Sequence, residues 1–334
     1  MVRLIVLGML AALFFSSSFI LNRAMSLEGG HWVWTASLRF GFMLFFLGTC
    51  LFFTKGPRRL LEIAGVFLRH WIFWTVAGSI GFGLFYSLLC FSASYAAGWI
   101  IATTWQTTIL ATPIVLILLG KKVPTRGMLL TALIFAGIML VNVEHATSAT
   151  TREVLFSALP VLIAAFAYPI GNQMVWEARQ GGLGLIPHID HPVMEDSFAR
   201  VLLLTLGSIP FWIVLLLCVS PPPPTSGQLA YTAIVALLSG VIATTIFLHA
   251  RHLCAQPYQI AAVDATQSLE VVFSLIGEII FLQGLFPSPI GLAGIALTII
   301  GLAAYTRLQS SVSSGSLETA IPRLEEKHSK RQPV

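Results

Sequence analysis

The chain has 334 residues, is 56% hydrophobic and only 10% charged, and carries a net charge of +5. A soluble domain holds roughly 25% charged residues, and one core of this size could not dispose of so much apolar surface. The basic residues lie in short loops beside apolar runs, which excludes nucleic acid as a partner and leaves an all-α integral membrane protein.

In chain order, the apolar runs predict ten transmembrane helices at about 4–21, 32–54, 71–94, 99–119, 127–143, 155–178, 198–219, 229–250, 259–282 and 288–306. Each is long enough, or nearly so, to cross about 30 Å of hydrocarbon. Arg3 before the first run resembles a signal peptide, but Ser16, Ser17, Ser18 and Asn22 continue into a pattern that Asn172 answers, so an uncleaved first span is expected. With the N-terminus inside, Lys55, Arg58, Arg59, Arg69, Lys121, Lys122, Arg126, Arg179, Arg200, Arg251, Arg307 and the tail fall in the cytoplasm. Only Arg23 and Arg152 fall outside. This asymmetry predicts both termini cytoplasmic in an inner or plasma membrane. Trp32, Trp34, Trp71, Trp74 and Trp99 lie near span ends, as an interfacial belt requires.

Four connecting segments stand out. Residues 55–70 are basic and partly amphipathic, suited to an anionic leaflet. Residues 179–197 form a Gly-rich cytoplasmic insertion with His188, Asp190, His191, Glu195 and Asp196, read as a solvated loop. Pro221 to Pro224 make a stiff outer connector, and 307–334 are expected to be a disordered cytoplasmic tail. The histidines match no zinc spacing, and the cysteines at 50, 90, 218 and 254 form no framework, so no metal site, disulfide or cofactor is expected. Neither a Walker A motif nor a Gly-x-Ser-x-Gly nucleophile motif occurs, so neither ATP-driven pumping nor enzyme activity has support.

An ionisable group inside a span is expensive and marks function. In the ninth run Asp264, Gln267, Glu270, Ser274 and Glu278 follow steps of 3, 3, 4 and 4, within an arc of about 120° on a regular helix. Glu270 lies near mid-span, Asp264 toward the cytoplasm and Glu278 toward the outside. A carboxyl deprived of water favours its neutral form, so Glu270 is expected to exchange a proton for a cationic substrate, with Asp264 and Glu278 as lesser proton or substrate carboxylates. Cavity-lining candidates on other runs are Asn22, Tyr86, Trp105, Gln106, Tyr168, Asn172, Trp176 and His249. Thr104, Thr108 and Thr112 form another stripe, expected to serve packing. Aromatic rings beside amides suit an amphipathic ligand, and rings near Glu270 suit an organic cation. Arg39 and Arg200 lie at corresponding places after His31 and His191 and are read as structural arginines.

The two halves of the chain echo one another. Gly127-x9-Gly137 reappears as Gly291-x9-Gly301, and the same shift of 164 residues puts Gln106 on Glu270. A shift of 150 puts Asn22 on Asn172. Five spans per half, an odd number, predict two inverted five-helix repeats, 1–143 and 155–306, joined by an external linker at 144–154.

Ser18-x3-Asn22-Arg23, Ser37-Leu38-Arg39-Phe40, Pro113 and the run Leu119-Gly120-Lys121-Lys122-Val123-Pro124 together resemble the drug/metabolite transporter superfamily, in its ten-span EamA-like or multidrug-resistance-efflux branch. The resemblance covers about residues 4–306. It implies alternating access around a central cavity lined by spans 1, 3, 4, 6, 8 and 9. The chain departs from the family's pattern in Gly120-Lys121, where Gly-Glu is frequent, and in a ninth span with Glu270 but without the usual proline. The expected function is export of small amphipathic cationic or zwitterionic molecules by proton antiport, as a monomer or homodimer in lipid. The alternatives are an uncoupled facilitator or exchanger of amino acids or other metabolites, and a structural or signalling membrane subunit that transports nothing.

Overall fold

The computed structural model describes residues 2–120, 128–254, 259, 263–305 and 307. The Lys121-to-Gly127 motif and the tail from 308 onward lie outside them. Eleven helices account for most of the described chain: α1 (Val2–Leu27), α2 (Trp32–Lys55), α3 (Pro57–Arg69), α4 (Trp71–Ser92), α5 (Gly98–Leu118), α6 (Met128–Ser148), α7 (Thr151–Gln180), α8 (Ser197–Val219), α9 (Ser226–Arg251), α10 (Val263–Leu282) and α11 (Pro289–Tyr305). Eight of them are long and apolar enough to cross a membrane; α6 and α11 contain shorter apolar stretches, and α3 is amphipathic. Phe45, Phe53, Trp71, Ile72, Leu217 and Phe281 point outward from these helices, an apolar surface that only lipid satisfies. The protein is an integral membrane protein.

Several boundaries follow from capping chemistry. His31 Nδ1 accepts from the Val33 amide and opens α2; His191 Nδ1 accepts in the same way from Val193, just before α8. Thr150 and Glu153 form a reciprocal capping box at the start of α7. The helices thus run to Ser148 and resume at Thr151, leaving little of the expected 144–154 linker.

Helices from the two ends of the chain interleave. α1 packs against α9 and α10, α2 against α8 and α9, α4 against α7 and α8, and α5 against α7 and α10. α4 crosses two helices at close range: α8, where Gly78 and Gly207 face main chain, and α7, where a Cβ on Gly81 would lie 2.9 Å from the Gly171 Cα. α6 and α11 form a peripheral pair through Gly137 and Gly294 and a small core of Ile134, Ile138, Leu302 and Tyr305. Two irregularities recur. α4 and α9 each contain a π-helical stretch, Ser79–Leu84 and Ala236–Ala243. α5 is interrupted by a turn at Gln106–Thr107, and α10 by a 3₁₀ turn at Thr266–Ser268.

The insertion at 179–197 is anchored, unlike the solvated loop expected. Ile189, Val193 and Met194 are buried, because apolar side chains between its polar residues seat it on the bundle. Lys55 Nζ lies 2.7 Å from Asp196 Oδ2, Arg59 lies 3.6 Å from the same oxygen, and Arg179 pairs with Glu195. Asp196 Oδ1 also accepts from the Phe198 and Ala199 amides and caps α8. Burial, the largest single influence, pushes the Asp196 carboxyl up, but Lys55 and the two amides outweigh it and hold it below the ordinary aspartate value. A depressed acid stabilises the fold above its unfolded pKa; that contribution is lost as pH falls below about 4. Asp196→Ala is expected to cost about 1–2 kcal/mol, while Asp196→Asn keeps the cap and costs less. Thermal unfolding in detergent at pH 7 and pH 3.5 checks this: the wild-type advantage over Asp196→Asn should shrink at the lower pH.

Candidate functional site

Glu270 lies two residues beyond the 3₁₀ turn of α10 and is only 9% exposed. Among the described residues its carboxyl makes no hydrogen bond or ion pair. The turn also breaks the single polar face expected of α10, because a 3₁₀ turn advances faster than an α turn. Asp264 lies 3.4 Å from Arg251 Nε, Gln267 Nε2 donates to Gly8 O at 3.5 Å, and Ser274 is fully buried with an unpartnered hydroxyl. The stripe therefore spreads over several neighbours, and Glu270 alone is left uncompensated among its carboxylates.

A wall of three rings stands near Glu270. Phe85 of α4 lies 4.8 Å from Trp105 of α5 and 4.9 Å from Tyr168 of α7, and Trp105 meets Tyr168 edge-on at 5.6 Å. Tyr168 is within electrostatic range of Glu270 and Arg251. It keeps 36% of its surface accessible. Asn172 and Trp176 continue this exposed line along α7, with the Asn172 amide donating to the Tyr168 carbonyl at 3.0 Å. On α9, Thr245 and His249 are exposed too. α7 and this part of α9 share no extensive packing among the described residues. α7 and α9 thus each carry an accessible face with polar or aromatic side chains. Gln106, the counterpart of Glu270 in the half-chain comparison, is buried behind the wall and donates to Ala102 O at 3.3 Å.

Toward the far end of α10, helix ends are tied together. Glu278 Oε2 accepts from the Gly98 amide at 2.9 Å and caps α5, while Arg23 Nη1 donates to Ala93 O at 2.9 Å within electrostatic range of Glu278. Glu278 is thus engaged in joining helix ends. Glu278→Gln is expected to keep gradient-driven transport while lowering stability by about 1.5–3 kcal/mol, the worth of a charge-assisted hydrogen bond. Flux and thermal unfolding measured on the same preparation check both parts.

Arg39, on α2, is 9% exposed and sits in a cage of hydroxyls from three other helices. Nη1 donates to Ser18 Oγ at 2.8 Å and to Tyr86 Oη at 2.6 Å, and Nη2 donates to Ser239 Oγ at 3.0 Å. The guanidinium also lies 4.2 Å from the Tyr86 ring centre, and Asn22 Nδ2 donates to Tyr86 Oη at 3.1 Å. Arg200 behaves otherwise: it donates to Met194 O and Ser197 Oγ and holds the turn before α8. Sequence reasoning missed Ser239, an ordinary serine in an apolar run. Ser18 stood only in a motif, although one helical turn separates it from Asn22.

At the Lys/Arg-rich end, a groove of about 450 Å³ lies between α3 and the insertion, lined by Glu62, Val66, Arg69, His70, His188 and His191 among others. Among the described residues no group of histidine, cysteine and acidic side chains is arranged to hold a metal ion.

Comparison with known proteins gives this geometry a context. Residues 2–311 match the family described as "EmrE: Putative multidrug resistance efflux transporter". An uncharacterized protein of Bacillus subtilis (strain 168), YjlA, is 41% identical over 320 residues, covering 91% of this chain and 94% of the relative. An uncharacterized 42.1 kDa protein of Shouchella clausii, from the intracellular alkaline protease 3′ region, is 37% identical over 260 residues, 74% of this chain and 64% of the relative. One solved crystal structure, of a protein without a functional name, superposes over 92% of this chain and 98% of its own with a TM-score of 0.57 and 14% identity, a likeness of fold alone.

Proposed function

Since the chain belongs to the EmrE-type multidrug resistance efflux transporter family, and is a membrane transporter rather than an enzyme, we propose that it exports small amphipathic cationic or zwitterionic molecules by proton antiport, with Glu270 as the coupling carboxylate. The observation that carries this reading is the placement of Glu270, buried and without an ion-pair partner near the rings of Phe85, Trp105 and Tyr168; we take the accessible faces of α7 and α9 to border one vestibule that ends there. A carboxylate there binds either a proton or an organic cation, and the rings favour the cation. Asp264, paired with Arg251 at the vestibule mouth, is a candidate to pass protons inward.

We read the architecture as ten spans in two inverted five-helix repeats, 1–143 and 155–306. The matching histidine caps at the start of α2 and of the short turn before α8, the π stretches of α4 and α9, and the interruptions of α5 and α10 support it. The Lys/Arg-rich end, with both termini, is placed in the cytoplasm on the positive-inside rule. The vestibule then faces inward and the Glu278–Gly98 junction seals the outside, one of the two states that alternating access requires. The test is flux of aromatic cations in proteoliposomes with an imposed pH gradient. Gradient-driven accumulation supports antiport; downhill flux indifferent to the gradient supports the uncoupled facilitator instead.

A further inference from the structure

The basic segment 55–70 folds into α3 with its sides put to different uses. Joints of one residue, Gly56 and His70, tie its ends to α2 and α4, so α3 stays at the level where those two helices end. At about 100° per residue, Ile63 and Val66 fall on one side and are buried against the bundle. Roughly opposite, within an arc of about 60°, lie Leu61, Ala64 and Leu68. All three are exposed, the leucines by 73% and 70%. This apolar edge stands between the outward-facing Phe53 near the end of α2 and Trp71 and Ile72 at the start of α4. Lipid covers the residues that precede and follow it, and an apolar edge in that position is satisfied by the same neighbour.

The cations of the segment divide in a matching way. Arg59 is taken up by Glu62 at 2.8 Å and Asp196 at 3.6 Å, and Lys55 by Asp196 at 2.7 Å. Arg58 and Arg69 are exposed, and among the described residues neither is in an ion pair. Both lie about 60–80° round the helix from Leu61, between the apolar edge and the side that carries Glu62. On a helix lying in the membrane surface, that border is the depth of the phosphate groups. We propose that α3 binds anionic phospholipid, with Arg58 and Arg69 each holding a headgroup phosphate and the acyl chains covering Leu61, Ala64 and Leu68. The planar guanidinium fork matches two phosphate oxygens. The occupant is a lipid and not a free phosphate, because the apolar edge adjoins the two cations. The ion pairs of Lys55 and Arg59 with Asp196 hold α3 in this orientation before lipid arrives. All this is independent of what the protein transports.

The test is thermal unfolding of the full-length protein in detergent micelles titrated with phosphatidylglycerol, phosphatidylcholine or soluble glycerol 3-phosphate. In wild type, phosphatidylglycerol is expected to raise the unfolding temperature at concentrations where phosphatidylcholine does not, and glycerol 3-phosphate to have no effect. The double variant Arg58→Gln, Arg69→Gln should need about thirtyfold more phosphatidylglycerol for the same shift, about 1 kcal/mol for each arginine. The double variant Leu61→Asn, Leu68→Asn should also respond more weakly, whereas leucines that face water could be exchanged without effect. All four side chains are exposed, so both variants should unfold like wild type in micelles without added lipid. Arg152→Gln removes an exposed arginine at the end of α7 away from the insertion and should leave the response unchanged. Equal stabilisation by the two lipids would overturn the proposal, as would an unchanged response in either double variant. An equal shift with glycerol 3-phosphate would make the arginines a site for soluble anions, and an equal loss in Arg152→Gln would reduce the effect to net charge; either result also overturns it.

Discussion

Glu270→Gln is expected to reduce accumulation driven by a pH gradient to the level of liposomes without protein. Glutamine has nearly the same shape and fits the same buried position, but it neither takes up nor releases a proton. Downhill exchange of a neutral or zwitterionic substrate should survive in part, because the vestibule and its aromatic wall are untouched. Binding of a purely cationic substrate should weaken by about 1.5–3 kcal/mol, the worth of a charge-assisted contact, or about 10- to 150-fold. The measurement pairs gradient-driven uptake with substrate counterflow. Loss of both to the same extent, in a correctly folded variant, would assign Glu270 to substrate binding alone; retention of both would remove it from the mechanism.

The second large effect is on stability. Gly81 and Gly171 bring the α4 and α7 backbones together so closely that a Cβ on Gly81 would lie 2.9 Å from the Gly171 Cα, and one on Gly171 would lie 3.0 Å from the Ala77 carbonyl oxygen. Both obstacles are main chain, so no flexible side chain can swing away and the helices must separate. Gly171→Val is expected to cost about 3 kcal/mol, the upper end for overpacking, and to move Phe85 away from Tyr168 on the facing helices. Gly41→Ala is the control: nothing lies within 4 Å of its Cβ position, and alanine favours the helix by about 1 kcal/mol. Thermal unfolding in detergent distinguishes the two, with Gly171→Val far below wild type and Gly41→Ala at or above it.

Much of this was legible in the sequence because lipid imposes a simple rule. Long apolar runs had to be helices, and a carboxylate within one had to have a purpose, so Glu270, Tyr168 and Trp105 stood out before any contact was known. Local irregularity was not legible. The five polar residues of α10 form one face only on an unbroken α-helix, and the turn at Thr266–Ser268 sends Asp264 to Arg251 and Gln267 toward Gly8. Nothing in the residue types announced that turn. Glu278 resembled Glu270 in sequence, yet its role depends on Gly98, 180 residues away. The insertion at 179–197 misled for a related reason: its glycines and charges indicated a loop, but the charges had fixed partners on α2, α3 and α7.

The π stretch of α9 does more than mark a likeness to α4. A π turn holds about one residue more than an α turn, so the side chains beyond it are offset by about 100° from their course on a continuous helix. The helix becomes two short shafts joined by a slack coupling, with Thr244 Oγ1 donating back to the Ser239 carbonyl at 3.3 Å across the joint. The joint itself presents Ser239 to Arg39, while the shaft beyond it presents Thr245 and His249 to the vestibule. The lower shaft therefore turns a different face to α1, with Phe247 against Phe15, from the one the upper shaft divides between α1 and α2.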